Sequence, residues 1–202
     1  MNEDHHQTLY ETNEFYWGKE PNDFARRALD FIPEGEPLRV IDIGAGEGRD
    51  SVFFAERGFD VLAVDAAPNG LEKATRLAKE RGVEVEVREG DVNSLEPEGS
   101  FALVYSAGTI QYLRPENREK QFAHFRERTA PGGFHALLTF VEDPEIPPAP
   151  DWSENEFLYA PGELREYYAG WECLHSRAFV FDDDSGGEPH KHAVEEYVFL
   201  KP

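Results

Sequence analysis

The sequence predicts an α/β fold in a single domain, a mostly parallel sheet with helices on both faces and an antiparallel ending. Three observations carry that prediction. Short apolar runs alternate with segments of helical period from Leu38 to Val141, the pattern of strands joined by crossover helices. A glycine-rich turn, Gly44 to Gly48, links the first apolar run to the first helical segment after it. Near the end, Glu172 to Phe181 and His192 to Leu200 flank the turn-forming stretch Asp182 to Gly187, which reads as a β-hairpin.

Residues 1–13 are polar and predicted flexible. Residues 14–33 form an aromatic segment and a helix: Phe15, Tyr16, Trp17 and Gly18 cluster together, Pro21 and Asn22 suit a helix start, and Phe24, Ala25, Ala28, Leu29 and Ile32 recur at helical spacing. Leu38 to Ile43 is a buried-type strand, and Ser51 to Arg57 a helix stopped by Gly58. Asp60 to Val64 is the second strand. Leu71, Ala74, Leu77 and Ala78 give a helical stripe ending at Gly82, after which Val83, Val85 and Val87 alternate as strand residues do. Phe101 to Tyr105 is the fourth strand. Phe122 and Phe125 lie on a helix closed by Pro131, Gly132 and Gly133, and Phe134 to Val141 is the fifth strand. Residues 142–161 are rich in proline and too long for an ordinary connection, so they are predicted to act as a lid loop. A short helix from Glu163 to Tyr168 precedes the hairpin.

Composition excludes several function classes. The chain has 202 residues, 40% of them hydrophobic, enough for a packed core. Its 41 acidic residues against 20 basic give a formal charge of −21, which repels a phosphate backbone and an anionic membrane surface. Nucleic acid and membrane are therefore not expected partners. The acids are dispersed and Lys is scarce beside Arg, a balance that suits either a halophilic source or an ordinary acidic protein. No apolar run approaches the roughly 18 residues of a membrane span, and the start lacks the basic and apolar regions of a signal peptide, so a cytoplasmic location is expected. Cys173 is the sole cysteine, which rules out an intrachain disulfide.

The segment Asp42-Ile43-Gly44-Ala45-Gly46-Glu47-Gly48 is the most informative. It follows a predicted strand and opens a helix, the setting in which a glycine loop brings backbone close to a nucleotide. A dinucleotide loop places its third glycine three residues after the second, and that position is Arg49. Asp42, two residues before the first glycine, sets a carboxylate near the ligand, unfavourable for pyrophosphate and favourable for an ammonium or sulfonium group. Asp65 and Asp91 close the second and third strands, and open α/β sheets bind ligands at those carboxyl ends.

The Asp-x-Gly-x-Gly-x-Gly pattern resembles the first motif of the class I S-adenosylmethionine-dependent methyltransferases. Gly44 to Ser51, Pro131-Gly132-Gly133, the run Gly162-Glu163-Leu164-Arg165-Glu166-Tyr167-Tyr168-Ala169-Gly170-Trp171 and Pro189-His190-Lys191-His192 narrow the resemblance to the tellurite-resistance methyltransferases. It implies a Rossmann-like, seven-stranded sheet with an antiparallel last strand. It implies S-adenosylmethionine as cofactor, S-adenosylhomocysteine as product and a small-molecule methyl acceptor, tellurite or a related chalcogen species. Its implied cofactor residues are Asp42, Gly44, Ala45, Gly46, Gly48, Arg49, Asp65, Ala66, Asp91, Val92 and Ser106. Tyr16, Trp17, Tyr112, Trp152 and Tyr159 are the candidates on the acceptor side, with Glu154 in the lid. Glu195 and Glu196 stand where that family usually has further basic residues.

Methyl transfer needs alignment of donor and acceptor in a dry pocket, with no covalent nucleophile. His190 and His192 are the candidate catalytic residues, to bind or orient the acceptor. Two histidines two apart on a strand share a face and suit a metal, but no third ligand stands beside them in sequence, so no metal is expected. A different small thiol, amine or carboxylate acceptor remains the alternative, as does a protein that binds S-adenosylmethionine without catalysis.

Overall fold

The computed structural model describes residues 7–33, 38–147, 149–150, 156–184 and 187–202. In chain order the elements are α1 (Asp23–Leu29), β1 (Arg39–Ile43), α2 (Arg49–Ala55), β2 (Asp60–Asp65), α3 (Pro68–Arg81), β3 (Glu86–Glu89), β4 (Phe101–Ala107), a 3₁₀ turn (Ile110–Tyr112), α4 (Pro115–Glu127), β5 (Thr129–Phe140), α5 (Glu163–Glu166), β6 (Glu172–Asp183) and β7 (His190–Leu200). They form one seven-stranded sheet of order β3-β2-β1-β4-β5-β7-β6. β1 to β5 are parallel, and β7 runs antiparallel between β5 and β6. This is the Rossmann-like sheet with an antiparallel final strand that the sequence predicts.

Alternation along the strands builds a core on each face. Ile41, Ile43, Leu62, Val64 and Val104 pack with Phe122 and Phe125 of α4, while Val40, Val61, Leu103 and Tyr105 pack with Phe24 of α1 and Phe53 and Phe54 of α2. Side chains two apart share a face, so β1 feeds both layers. Helix boundaries follow local chemistry. Asn22 caps α1, its side chain accepting the Phe24 N–H at 2.8 Å. Pro68 opens α3 and Gly82 closes it in the left-handed conformation, as expected of helix-start proline and helix-end glycine.

Three expectations are corrected by long-range packing. Residues 7–13 are held: residues 7–9 are helical, Gln7 Oε1 accepts the Asn69 N–H at 3.1 Å, and Tyr10 is buried. β5 begins at Thr129, because Thr129 pairs with Phe101 before a register shift brings Phe134 opposite Leu103. Pro131 to Gly133 thus sit inside the strand, in the irregularity, instead of closing the helix. The predicted lid is partly pinned to the body. Tyr159 bridges Val141 in parallel, the Phe157 N–H donates to Gln111 O at 2.7 Å, and the Arg118 guanidinium donates to Phe157 O at 2.5 Å and forms an ion pair with Glu163 at 2.6 Å. Among the described residues no helix is long and apolar enough to cross a membrane.

Glu195 and Glu196 have structural partners. Glu195 accepts the Gly162 N–H and the Tyr197 hydroxyl, at 3.0 Å each. Glu196, fully buried, accepts from Arg27 at 2.7 Å and meets His175 Nε2 at 2.9 Å, tying α1 to the hairpin. Glu196→Ala leaves the Arg27 guanidinium without its carboxylate, and its partial exposure tempers the loss; the expected destabilisation is about 2 kcal/mol. Urea unfolding checks it, and a loss below about 0.5 kcal/mol contradicts the assigned role.

Candidate functional site

The carboxyl ends of β2, β1, β4 and β5 and the hairpin of β6 and β7 open onto one cavity of about 710 Å³. Its floor is the turn between β1 and α2. Gly44, Gly46 and Gly48 all have positive φ, which side chains other than glycine adopt at a cost. Packing adds a second reason: a Cβ on Gly44 would overlap the Thr109 side chain, and one on Gly48 would overlap Ala74 of α3. Backbone therefore approaches its neighbours where any side chain would hold them apart.

Four buried carboxylates gather around this turn. Asp65 closes β2, and its two oxygens accept the Gly46 and Ala67 N–H groups at 2.8 Å each. Burial pushes the Asp65 carboxyl up from the ordinary range, and these two amides work against that rise. Glu47 pairs with Lys73 at 2.7 Å and also accepts the Tyr16 and Trp17 N–H groups at 3.0 and 2.9 Å. Asp50 accepts the Asn22 N–H at 2.7 Å and the Tyr105 hydroxyl at 2.9 Å. Asp42 receives the Ser51 hydroxyl at 2.6 Å. Burial first, and the Asp50 charge second, push the Asp42 carboxyl up to about 8.

The cavity wall assembles most of the predicted residues. Asp42, Gly44, Ala45, Gly46, Arg49 and Asp65 line it, with Tyr16, Trp17, Tyr112 and His192. Arg49 donates to Trp17 O at 2.9 Å, and the Tyr112 hydroxyl donates to Glu156 at 3.1 Å. Gly48, Ala66 and His190 stand behind the wall. Four other predicted residues lie away from the cavity wall. Val92 is a core residue beside Leu95. Ser106 is fully buried and donates to Ile43 O at 2.8 Å, a cross-strand bond inside the sheet. Asp91 turns its Oδ1 onto the Asn93 N–H at 2.9 Å and does not line the cavity. Tyr159 is fully buried, donates to Ile110 O at 3.0 Å and stacks under Arg118, so it belongs to the core and not to the acceptor side. Trp152 and Glu154 lie outside the described residues.

Several wall residues escaped the sequence reading. Tyr10 covers the loop: a Cβ on Gly46 would come within 2.9 Å of its hydroxyl, which itself accepts the Trp17 indole N–H at 3.1 Å. Glu47 had a visible signal, an acid between two glycines, but its partner Lys73 is distant in sequence. Gln111 donates to Gly108 O at 2.7 Å, and its Oε1 is buried without a partner. On the far side, Phe140, Phe179 and Phe181 line the cavity with Arg27 and Arg177.

The residues present fit S-adenosylmethionine. Asp42, Asp50 and Asp65 favour a ligand carrying ammonium and sulfonium charges and repel pyrophosphate. The Gly46 N–H already serves Asp65, so it is not presented to a phosphate. The Gln111 Oε1 is an acceptor in want of a donor, and Asp65 keeps acceptor capacity for ribose hydroxyls.

Fold and site together give a Rossmann-like sheet with a cavity at its carboxyl edge, the architecture of solved methyltransferase structures. Residues 40–133 match the methyltransferase domain family. The chain is similar to the probable S-adenosyl-L-methionine-dependent methyltransferase TehB of Haemophilus influenzae, 25% identical over 156 residues that cover 77% of this chain and 51% of TehB. It spans about half the length of the curated relatives it matches. The crystal structure of Haemophilus influenzae TehB superposes with a TM-score of 0.79 at 22% identity, covering 99% of this chain and 67% of that one. The 1,6-didemethyltoxoflavin-N1-methyltransferase of Burkholderia thailandensis, solved with bound 1,6-didemethyltoxoflavin and S-adenosylhomocysteine, superposes with a TM-score of 0.72 at 21% identity, covering 98% and 86%. Both relatives are described with S-adenosylmethionine or its demethylated product.

The Asp42 carboxyl gives a pH signature. Its folded pKa, about 8, lies above the ordinary value near 3.9 of the unfolded chain, so the folded state binds the extra proton between them. Stability of the free protein therefore falls as pH rises from about 4 to about 8. Asp42→Asn should flatten that fall in melting temperature relative to the parent, and parallel curves contradict the assignment. A cationic cofactor favours the ionised carboxylate, so S-adenosylmethionine affinity of the parent should rise over the same window and that of the variant should rise less.

Proposed function

We propose that this chain transfers the methyl group of S-adenosylmethionine to a small anionic acceptor with a soft donor atom. A tellurite-like chalcogen species comes first, and a small thiol next. When bound, the cofactor supplies an electrophilic methyl on a sulfonium and leaves as S-adenosylhomocysteine. The chain's own groups do the rest. Asp42 and Asp65 hold the cationic donor's side of the cavity, Gln111 offers its Oε1, and Tyr10, Tyr16 and Trp17 close the floor from above and exclude water.

The observation that carries the acceptor class is an unsatisfied donor on the far wall, where Glu196 pairs with Arg27 and stands 3.9 Å from Arg177. Arg27 and Arg177 line it, and the Arg27 Nε is buried without an acceptor. An anion at that wall satisfies the donor. A chalcogen anion or thiolate attacks without a general base, and beside that donor none is needed. The resemblance of residues 162–171 and 189–192 to the tellurite-resistance methyltransferases supports the chalcogen. The three phenylalanines favour a second reading, an acceptor with a flat ring, as for the 1,6-didemethyltoxoflavin of the Burkholderia thailandensis relative.

Methyl-labelled cofactor with tellurite, selenite, small thiols, carboxylates and heteroaromatic amines tests both readings. Label should pass to at least one acceptor, and with an anionic one Arg177→Gln should lower kcat/KM about tenfold while S-adenosylhomocysteine affinity stays unchanged. Calorimetry should show S-adenosylhomocysteine binding and no NAD binding. NAD binding without either adenosyl ligand, or no label transfer to any acceptor, contradicts the proposal.

A further inference from the structure

The hairpin places three metal-ligand side chains at one end of the cavity. Register sets Asp183 opposite His190 and Phe181 opposite His192, and residues two apart on a strand share a face. Asp183, His190 and His192 therefore project from the same side of the ribbon. The sequence reading found no third ligand beside the histidines, and the cross-strand pairing supplies it. β7 runs antiparallel, so its first residues lie at the same carboxyl edge as the glycine loop.

The geometry is compact. His190 Nε2 lies 2.9 Å from His192 Nε2, and Asp183 Oδ2 lies 3.9 and 3.6 Å from those two nitrogens. The side chains of His190 and His192 are only 7% and 11% exposed, and that of Asp183 24%. The Nδ1 of His190 is 2.7 Å from Glu188 O. A carbonyl can only accept, so Nδ1 carries a proton, and Nε2 faces the cluster. A ligating histidine is oriented in just this way, by a second partner on its other nitrogen. Phe140 stacks on His192 at 4.6 Å and 13°, which fixes the second ring. Bonds of about 2.0–2.1 Å to zinc set neighbouring ligand atoms about 2.9–3.4 Å apart. The histidine pair already meets that spacing, and a carboxylate shift of under about 1 Å brings Asp183 within it.

We propose that Asp183, His190 and His192 hold one divalent transition-metal ion of the zinc type. Two imidazoles and a carboxylate select the borderline first-row metals over magnesium or calcium. Three protein ligands leave coordination positions open, and Asp183 and His192 line the cavity shared with the glycine loop. An acceptor with an oxygen, nitrogen or sulfur donor completes the shell, a clause that rests on the methyltransferase reading. By strand spacing of about 4.8 Å, β7 stands about 14 Å along the sheet from β1, which puts the ion on the acceptor side.

Cobalt(II), titrated into the metal-stripped full chain, tests the site by its visible absorption. The background carries His5→Ala and His6→Ala, so that the N-terminal pair adds no second site. One equivalent should bind with ligand-field bands in the visible. His190→Ala with His192→Ala should abolish them, Asp183→Asn should weaken binding at least about tenfold, and His175→Ala should leave binding as in the parent. S-adenosylhomocysteine calorimetry on the same proteins shows that the cofactor half is folded. No stoichiometric uptake by the parent, or unchanged uptake in the double histidine variant, overturns the site. Uptake without S-adenosylhomocysteine binding supports the metal site and contradicts the methyltransferase reading.

Discussion

Four carboxylates converge under one glycine loop, and the rest of that sheet edge is arranged around satisfying them. A buried carboxylate is costly unless donors surround it. Glu47 takes an ammonium and two amides, Asp65 two amides, and Asp50 an amide and a phenol. These bonds join segments far apart in sequence: the aromatic stretch of Tyr16 and Trp17, the loop, α3 and the start of α1. Among the described residues Asp42 has a single side-chain donor, Ser51, and the neighbouring charge of Asp50. It is the group most in need of a cation, and the class of cofactor that fits this fold brings one.

The cavity divides along the order of the strands. The ends of β1 and β2 carry the acids, and β5, β6 and β7 carry phenylalanines, an arginine and the His-His-Asp cluster. Such a division suits two ligands of different character meeting at the middle of the edge, where Thr109 and Gln111 follow β4. The antiparallel β7 is what makes the second half possible, since it returns the chain to the carboxyl edge at its first residues and not its last.

The glycine loop and Asp42 were legible in the sequence because their meaning is local: a strand, a tight turn and a helix in succession, with fixed spacing between them. Asp65 was legible for the same reason. What the sequence hid depends on partners far along the chain. Tyr159 sits in a proline-rich stretch that reads as exposed, yet Arg118 of α4 clamps the neighbouring carbonyls and draws the ring beneath it. Tyr10 sits in a polar run, and the glycine loop, Gly70 and Trp17 around it explain its burial. Ser106 and Val92 were named by family position, and strand geometry turned one onto Ile43 O and the other into the core. Asp183 was visible as a turn residue, and its place opposite His190 required the hairpin register.

The most direct test of the account is a crystal structure of the chain grown with S-adenosylhomocysteine. The account predicts the ligand in this cavity, its ribose against Asp65 and its amino group on the side of Asp42 and Gln111, with the phenylalanine wall left clear for an acceptor. Ligand bound elsewhere on the chain, or a cavity filled by packed side chains with no ligand in it, would contradict the central claim.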